Sequence, residues 1–220
     1  MGKYLDEVIP YVDIPEKEVG DWAIRKFTID QEAAKRDRLS CLFSGEYGRS
    51  VDPGDYTKLA HRRRGVIMSD TPAEKNDHYM FVRRASGKVM INGLGLGMVT
   101  NALLQKSDVT RVVVVEMEAE VISLVAPHFQ DPRVEIIEAD CFEVMPKDLS
   151  VTTTDRFDYV WHDIWDTISA DNWPEMNKLH RKWGRFSHYQ DSWCRNRVLR
   201  LHQEEKQYEQ MAQWRRMAFG

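Results

Sequence analysis

The stretch Lys88-Val-Met-Ile-Asn-Gly93-Leu-Gly-Leu-Gly97 decides the fold. It begins as a short apolar run, as a buried strand does, and breaks into three alternating glycines before the helical segment Val99–Lys106. Glycines at a strand-to-helix turn let the backbone bend sharply and approach a ligand with no Cβ in the way. Downstream, Arg111–Glu116 holds four consecutive valines, the pattern of a strand buried on both faces of a parallel sheet. Glu118–Phe129 reads as a helix stopped near Pro127, and Val134–Glu138 as a third strand. Phe157–His162 reads as a fourth, after the polar turn Thr152–Asp155. Strands and helices alternating at this spacing predict βαβ units. The expected class is therefore α/β, a Rossmann-like parallel sheet with helices on both faces.

The flanks are less regular. Trp22–Ile29 predicts a strand, and Asp30 caps a short helix from Gln31 to about Phe43. Gly45–Asp55, with three Gly and one Pro, reads as loop. Tyr56–His61 and Gly65–Met68 read as two short strands around the basic turn Arg62-Arg63-Arg64. After Thr167 no strand is predicted. Asp171-Asn172-Trp-Pro174 starts a helix, Met176, Leu179 and Trp183 repeat at helical spacing, and Gly184 stops it. A longer helix follows from about Ser187 to Met217, with Trp193, Leu201, Tyr208, Met211 and Trp214 on its apolar face. That stripe reads first as core packing and second as a ligand-stacking surface. The expected organisation is an N-terminal strand/helix extension over 1–70, a Rossmann-like binding domain over 71–166, and a helical C-terminal region over 167–220 without further strands.

Composition bounds the function. The 220 residues are 30% charged and 42% hydrophobic, as in an ordinary soluble protein. No stretch approaches the roughly 18 apolar residues of a membrane span. The opening MGKYLDEVIP lacks the apolar core of a secretory signal, so the expected compartment is the cytoplasm, with no membrane partner. Cys41, Cys141 and Cys194 lie far apart, with no CxxC and no Cys/His metal spacing. They read as reduced thiols, and no metal is expected. A net charge of −4 argues against a generally basic nucleic-acid binder. Yet between Glu175 and Gly220 ten Lys/Arg face five Asp/Glu, a local +5 against −9 for the remainder. This basic helical region is either a solvated face or a contact for an anionic partner, nucleic acid or protein. The tryptophans Trp173, Trp183, Trp193 and Trp214 fit either packing of the tail onto the sheet or a homo-oligomer interface.

Acidic residues follow the second, third and fourth strands of the central segment. Glu116 ends the second strand about 20 residues beyond the glycines, where a carboxylate can accept both ribose hydroxyls, with Met117 beside it. Asp140, in Glu138-Ala-Asp-Cys-Phe142, can accept from an adenine amino group while neighbouring backbone, at Cys141, meets the ring. Asp163 ends the fourth strand. The dinucleotide fingerprint GxGxxG is absent, because position 98 is Met98. A pyrophosphate favours helix N–H groups and no additional negative charge. S-adenosylmethionine (SAM) carries a sulfonium and an ammonium, and an acid-rich pocket suits both. The expected ligand is SAM or a close relative, with a dinucleotide, or a glycine turn that binds nothing, as the other readings. The expected contacts are Asn92, Gly93, Gly95, Gly97, Glu116, Met117, Asp140, Cys141 and Asp163.

With these residues in view, the chain resembles the class I SAM-dependent methyltransferase superfamily, and within it the spermidine-synthase-like (aminopropyltransferase) branch. The resemblance covers roughly Tyr56–Asp166. It rests on the glycine loop and on Gly65-Val-Ile-Met-Ser69 with Glu74 and His78 beyond it. It rests also on Val115-Glu-Met-Glu118, on Asp131-Pro-Arg-Val-Glu135-Ile-Ile-Glu-Ala-Asp140, and on Phe157-Asp-Tyr-Val-Trp-His-Asp163-Ile-Trp-Asp166. The last resembles a strand ending in Asp-x-x-Asp. There the resemblance implies that Asp163 helps deprotonate the attacking amine and Asp166 helps hold the polyamine. Glu74, His78, Trp165 and Asp166 are thus the substrate-pocket candidates, although Ser69, Asp70, Thr71 and Pro72 equally fit an exposed helix start. The branch carries an Asp inside its loop, as GGGDGG, which holds the donor's amino group; the aligned residue here is Gly95, and the loop is closer to that of a methyltransferase. The usual acid ahead of the glycines is Asn92. The resemblance implies a transferase acting by displacement at carbon on a sulfonium, with Asp163 either the base or a carboxylate that orients the ligand. His162 is expected to pack on the opposite side. The expected function is a SAM-dependent methyltransferase of unspecified small-molecule acceptor. The alternatives are a spermidine-synthase-like aminopropyltransferase using decarboxylated SAM, or a catalytically inactive binder of SAM, methylthioadenosine or a similar nucleoside that acts through its helical tail.

Overall fold

The computed structural model describes residues 2–44 and 49–219. Gly45–Gly48, the start of the expected Gly45–Asp55 loop, lie outside them. An N-terminal helix α1 (Gly2–Val8) precedes an antiparallel sheet of β1 (Lys17–Val19), β2 (Trp22–Ile29), β3 (Gly54–His61) and β4 (Gly65–Ser69), paired in chain order. Helix α2 (Gln31–Ser44) connects β2 to β3, and α3 (Pro72–Arg84) leads out of β4. The second sheet is wholly parallel and contains β5 (Gly87–Asn92), β6 (Val109–Glu116), β7 (Val134–Glu138), β8 (Phe157–His162) and β9 (Ser187–Ser192). Around it lie α4 (Met98–Leu104), α5 (Ala119–Val125), α6 (Asn172–Trp183) and α7 (Arg195–Phe219).

Spatial order in the parallel sheet is β7-β6-β5-β8-β9. The chain moves outward from β5 through β6 to β7, then returns to the other side of β5 for β8. The strand order reverses at β5, and such a reversal opens a crevice beyond the carboxyl ends of the strands. The valine run explains why β6 sits near the centre. Val112 to Val115 are all essentially inaccessible, and side chains alternate between the two faces. Val112 and Val114 join Val89, Ile91, Phe81, Leu103 and Leu124 on one face. Val113 and Val115 join Met90, Val160, Leu179 and Trp183 on the other. Burial of each such side chain contributes about 1.5–3 kcal/mol, so neither face tolerates exposure to water. Trp22, Ile24 and Leu59 of the antiparallel sheet belong to the first of these cores. The N-terminal strands therefore pack on the same side as α3, α4 and α5.

Three expectations change. The region after Thr167 contains a strand, β9, where the start of the long helix was expected. Its sequence, Ser-His-Tyr-Gln-Asp-Ser, has no apolar run because it is an edge strand whose polar groups meet a polar network. Gln190 Oε1 lies 3.2 Å from His162 Nε2, its amide donates to the His180 carbonyl at 2.7 Å, and His180 Nε2 lies 2.8 Å from Ser192 Oγ. Second, the apolar stripe on the last helix is not core: Tyr208, Met211 and Trp214 are exposed and Leu201 is half-buried, while Trp193 precedes the helix and is buried. Tyr208, Met211 and Trp214 recur every three positions, which winds around a helix of 3.6 residues per turn and makes no single face. Third, α3 does not start as an exposed helix. Its first turn is held without a side-chain cap at Thr71; Asp70 instead accepts the Thr57 N–H at 2.6 Å, tying β4 to β3. Glu74 reaches back to accept from the Ser69 N–H (2.9 Å) and Oγ (2.7 Å), and His78 is buried.

Candidate functional site

The strand reversal at β5 opens into a cavity of about 300 Å³ at the carboxyl ends of β5, β6, β7 and β8. Its floor is Gly93 and Gly95, and one wall is Val115 to Glu118. A second wall is Ala139 to Phe142 and a third is Asp163 to Asp166. The antiparallel sheet and α3 close the fourth side through Trp22, Leu59, Arg64, Ile67, Met68, Glu74 and His78, with Trp193 above β9. Of the expected site residues, Gly93, Gly95, Glu116, Met117, Asp140, Cys141, Asp163, Glu74, His78, Trp165 and Asp166 all line this one cavity. Asn92 and Gly97 do not. Asn92 is fully buried beneath the loop, with its Nδ2 2.6 Å from His162 Nδ1 and its Oδ1 without a partner. His162 accordingly packs away from the cavity, as expected. Gly97 is the residue before α4.

The glycines make the sharp turn and also admit close contacts from the protein itself. Gly93, Gly95 and Gly97 have φ of 95°, 52° and 73°, the left-handed region that L side chains rarely enter. A Cβ on Gly93 would overlap the Asp163 carbonyl oxygen, one on Gly95 the Met68 sulfur, and one on Gly97 the Phe129 ring. The space a side chain would need is taken by protein rather than reserved for a ligand. Met68 Sδ also lies 3.0 Å from the Leu96 nitrogen.

Glu116 fixes the turn from the other side. One carboxylate oxygen accepts the Leu94 N–H at 2.8 Å and the other accepts the Glu118 N–H at 2.9 Å. Each oxygen keeps a lone pair directed elsewhere. Asp140 accepts the Phe142 N–H at 2.7 Å, and Lys182 holds the same loop through the Cys141 and Phe142 carbonyls. Burial, then the Asp140 charge, pushes the Cys141 thiol up to about 12, so it stays protonated and fills space.

Charge dominates the cavity. Six carboxylates line it (Glu74, Glu116, Glu118, Asp140, Asp163 and Asp166), against one arginine. Burial, with Glu74 and Asp77 nearby, raises Asp163 to about 8, and burial also raises Glu74. Burial lowers His78 to about 4, leaving it neutral at pH 7. Its Nε2 lies 3.7 Å from Asp163 Oδ2, too far for a hydrogen bond, and its Nδ1 has no partner. The arginine is Arg64, at the tip of the β3–β4 hairpin. It grips Asp166 through Nε (2.8 Å) and Nη2 (2.6 Å), lies 3.6 Å from Glu118, and stands over the Trp22 ring. Arg64 thus bridges two walls across the cavity.

Arg64, Met68, Trp22 and Trp193 are among the wall residues that the sequence reading did not assign to the site. The three-arginine hairpin turn was the available signal for Arg64. Trp193 was hidden by the misplaced helix.

Fold comparison places the chain beside known enzymes. It is similar to spermidine synthases and SAM-dependent methyltransferases. The spermidine synthase of Thermotoga maritima is 19% identical over 60% of this chain and 49% of its own, at a TM-score of 0.38. A SAM-dependent methyltransferase from Mesorhizobium loti is 13% identical over 40% of each chain, at 0.32. A precorrin 8w decarboxylase from Methanobacterium thermoautotrophicum is 19% identical over 52% of this chain and 57% of its own, at 0.38. The matched segment thus spans between 40% and 57% of these three proteins. No protein-family model matches the sequence, and no curated protein does. Among the described residues no helix is long and apolar enough to cross a membrane.

Proposed function

We propose that this protein is a methyltransferase that binds SAM in the acidic cavity and transfers its methyl group to a small-molecule acceptor. The carrying observation is the imbalance of six carboxylates to one arginine at the strand reversal, in a cavity about the size of a small ligand. A dinucleotide's pyrophosphate would meet carboxylates there, whereas SAM, whose sulfonium and ammonium outnumber its one carboxylate, carries a net positive charge that they stabilise. The residues present fit that ligand. Glu116 has free lone pairs for ribose hydroxyls, and Asp140 stands where an adenine amino group would donate. Bound there, SAM supplies an electrophilic methyl carbon whose leaving group is a neutral thioether. The protein's share is alignment and proton removal. Asp163 is the base: burial keeps it protonated at pH 7 in the ligand-free cavity, and a cation bound beside it favours its ionised form.

Two features favour methyl over aminopropyl transfer. Gly95, with Met68 packed against it, aligns with that branch's loop carboxylate, and Arg64 already occupies Asp166, the carboxylate that would hold a polyamine.

Calorimetric titration with SAM in buffers of different ionisation enthalpy tests this reading. We expect saturable binding at pH 7 with release of up to one proton, the proton of Asp163. Failure to bind SAM, decarboxylated SAM or methylthioadenosine would sink the assignment. Strong preference for decarboxylated SAM would shift it to aminopropyl transfer, and tight binding without turnover on any acceptor would leave a binding protein. Glu116→Gln leaves one of the two N–H groups facing an amide NH2, so SAM affinity should fall about 10- to 100-fold, about 1.4 kcal/mol per decade. An unchanged dissociation constant would place the ligand elsewhere.

A further inference from the structure

A second cavity, of about 760 Å³, lies between α3, the carboxyl end of β9 and the first two turns of α7. Five arginines line it (Arg49, Arg84, Arg195, Arg197 and Arg200), against the carboxylates of Asp77 and Asp191. Arg49 is engaged by Asp77, with Nη1 3.0 and 2.7 Å from the two oxygens. Arg195 stands over the Trp173 ring, and Arg84 and Arg200 are exposed. Among the described residues, no carboxylate lies within ion-pair distance of Arg84, Arg195 or Arg200. The amino end of α7 adds to this field, because the first N–H groups of a helix lack intrahelical acceptors and carry the positive end of its dipole.

The positive charge is local. From Leu201 to Phe219, Lys206, Arg215 and Arg216 are balanced by Glu204, Glu205 and Glu209. The groove therefore fits a compact anion, and α7 does not continue it as a basic track for a long polyanion. Several guanidinium forks around one space match the oxygens of a phosphate better than the single charge of a carboxylate.

We propose that this groove binds a small phosphorylated ligand, one carrying a phosphomonoester or pyrophosphate group. It adjoins the acidic cavity through residues that are neighbours in the chain. Asp77 and Cys194 face the groove, and their neighbours His78 and Trp193 face the cavity. Binding of a ligand here requires nothing of the SAM assignment.

Titration of the full chain with sodium pyrophosphate, at low ionic strength and without SAM, provides the test. Saturable binding is expected with a dissociation constant below about 1 mM, weakening as salt is added. Arg84 and Arg200 are exposed, so the variant Arg84→Ala/Arg200→Ala should melt like the parent while losing at least about tenfold in affinity. If the double variant melts early, Arg200→Glu alone carries the same expectation. No saturable binding of pyrophosphate, or an affinity indifferent to the folded variant, overturns the proposal. Tighter binding of a short single-stranded RNA with the same arginine dependence would overturn the small-ligand assignment in favour of nucleic acid.

Discussion

Gly93→Ala should lower the melting temperature by about 6–20 °C, read by calorimetry. Two costs combine at this residue. Its φ of 95° is one that a side chain enters only with strain, about 1–3 kcal/mol. The added Cβ would also overlap the Asp163 carbonyl oxygen, a backbone atom. Neither partner can retreat. The Gly93 N–H is bonded to the Val115 carbonyl at 2.8 Å, and the Asp163 N–H to the Asn92 carbonyl at 2.8 Å, so three strand ends are pinned together. A combined cost of about 3–5 kcal/mol follows, and each kcal/mol moves the melting temperature of a chain this size by about 2–4 °C. Gly65→Ala is the control. Gly65 has φ 81° but nothing within 4 Å of an added Cβ, so it carries the backbone strain alone and should cost clearly less. Equal melting of the two variants would mean that β5 and β8 do not meet at Gly93 as described.

Asp163→Asn should remove methyl transfer while leaving SAM affinity within a few-fold. A lost base typically costs about 10²–10⁴ in rate. Transfer of label from methyl-labelled SAM into a soluble metabolite extract would measure it. The same substitution should suppress proton release on SAM binding, and should change how stability depends on pH. Asp163 is raised to about 8 in the folded protein, against a usual carboxylate value near 4. Between those values the folded state holds a proton that the unfolded chain has released. This residue therefore makes stability fall as pH rises from about 4 to about 8, with no further loss above. Asn removes that penalty. The variant should melt with the parent near pH 4 and above it at pH 9. Identical melting at pH 9 would show that Asp163 is not held protonated. Retained proton release in the variant would assign the titration to another group, Glu74 being the nearest candidate, since burial raises it as well.

The parallel core was legible because its signals are local and repeated. A run of four valines can be accommodated only where both faces of a strand are covered, and three alternating glycines directly after a strand admit few backbones. The acids at strand ends were legible for the same reason: once the strands are placed, Glu116, Asp140 and Asp163 must stand at one edge of the sheet. β9 was not legible, because an edge strand among polar partners shows neither alternation nor an apolar run. Arg64 was not legible as a site residue either. It lies 102 positions from Asp166, and only the docking of one sheet against the other brings them together.

By itself, the sequence determined the α/β class, the strand-to-helix glycine turn, and the acidic edge at which a cationic ligand is proposed to bind. The tertiary structure decided what those glycines are for. They admit the Asp163 carbonyl, the Met68 sulfur and the Phe129 ring, three contacts from distant parts of the chain. The tertiary structure also set the electrostatic state of the site. A carboxylate's pKa depends on how much water and how many like charges surround it, and no stretch of sequence around Asp163 records that Glu74 and Asp77 of α3 stand beside it.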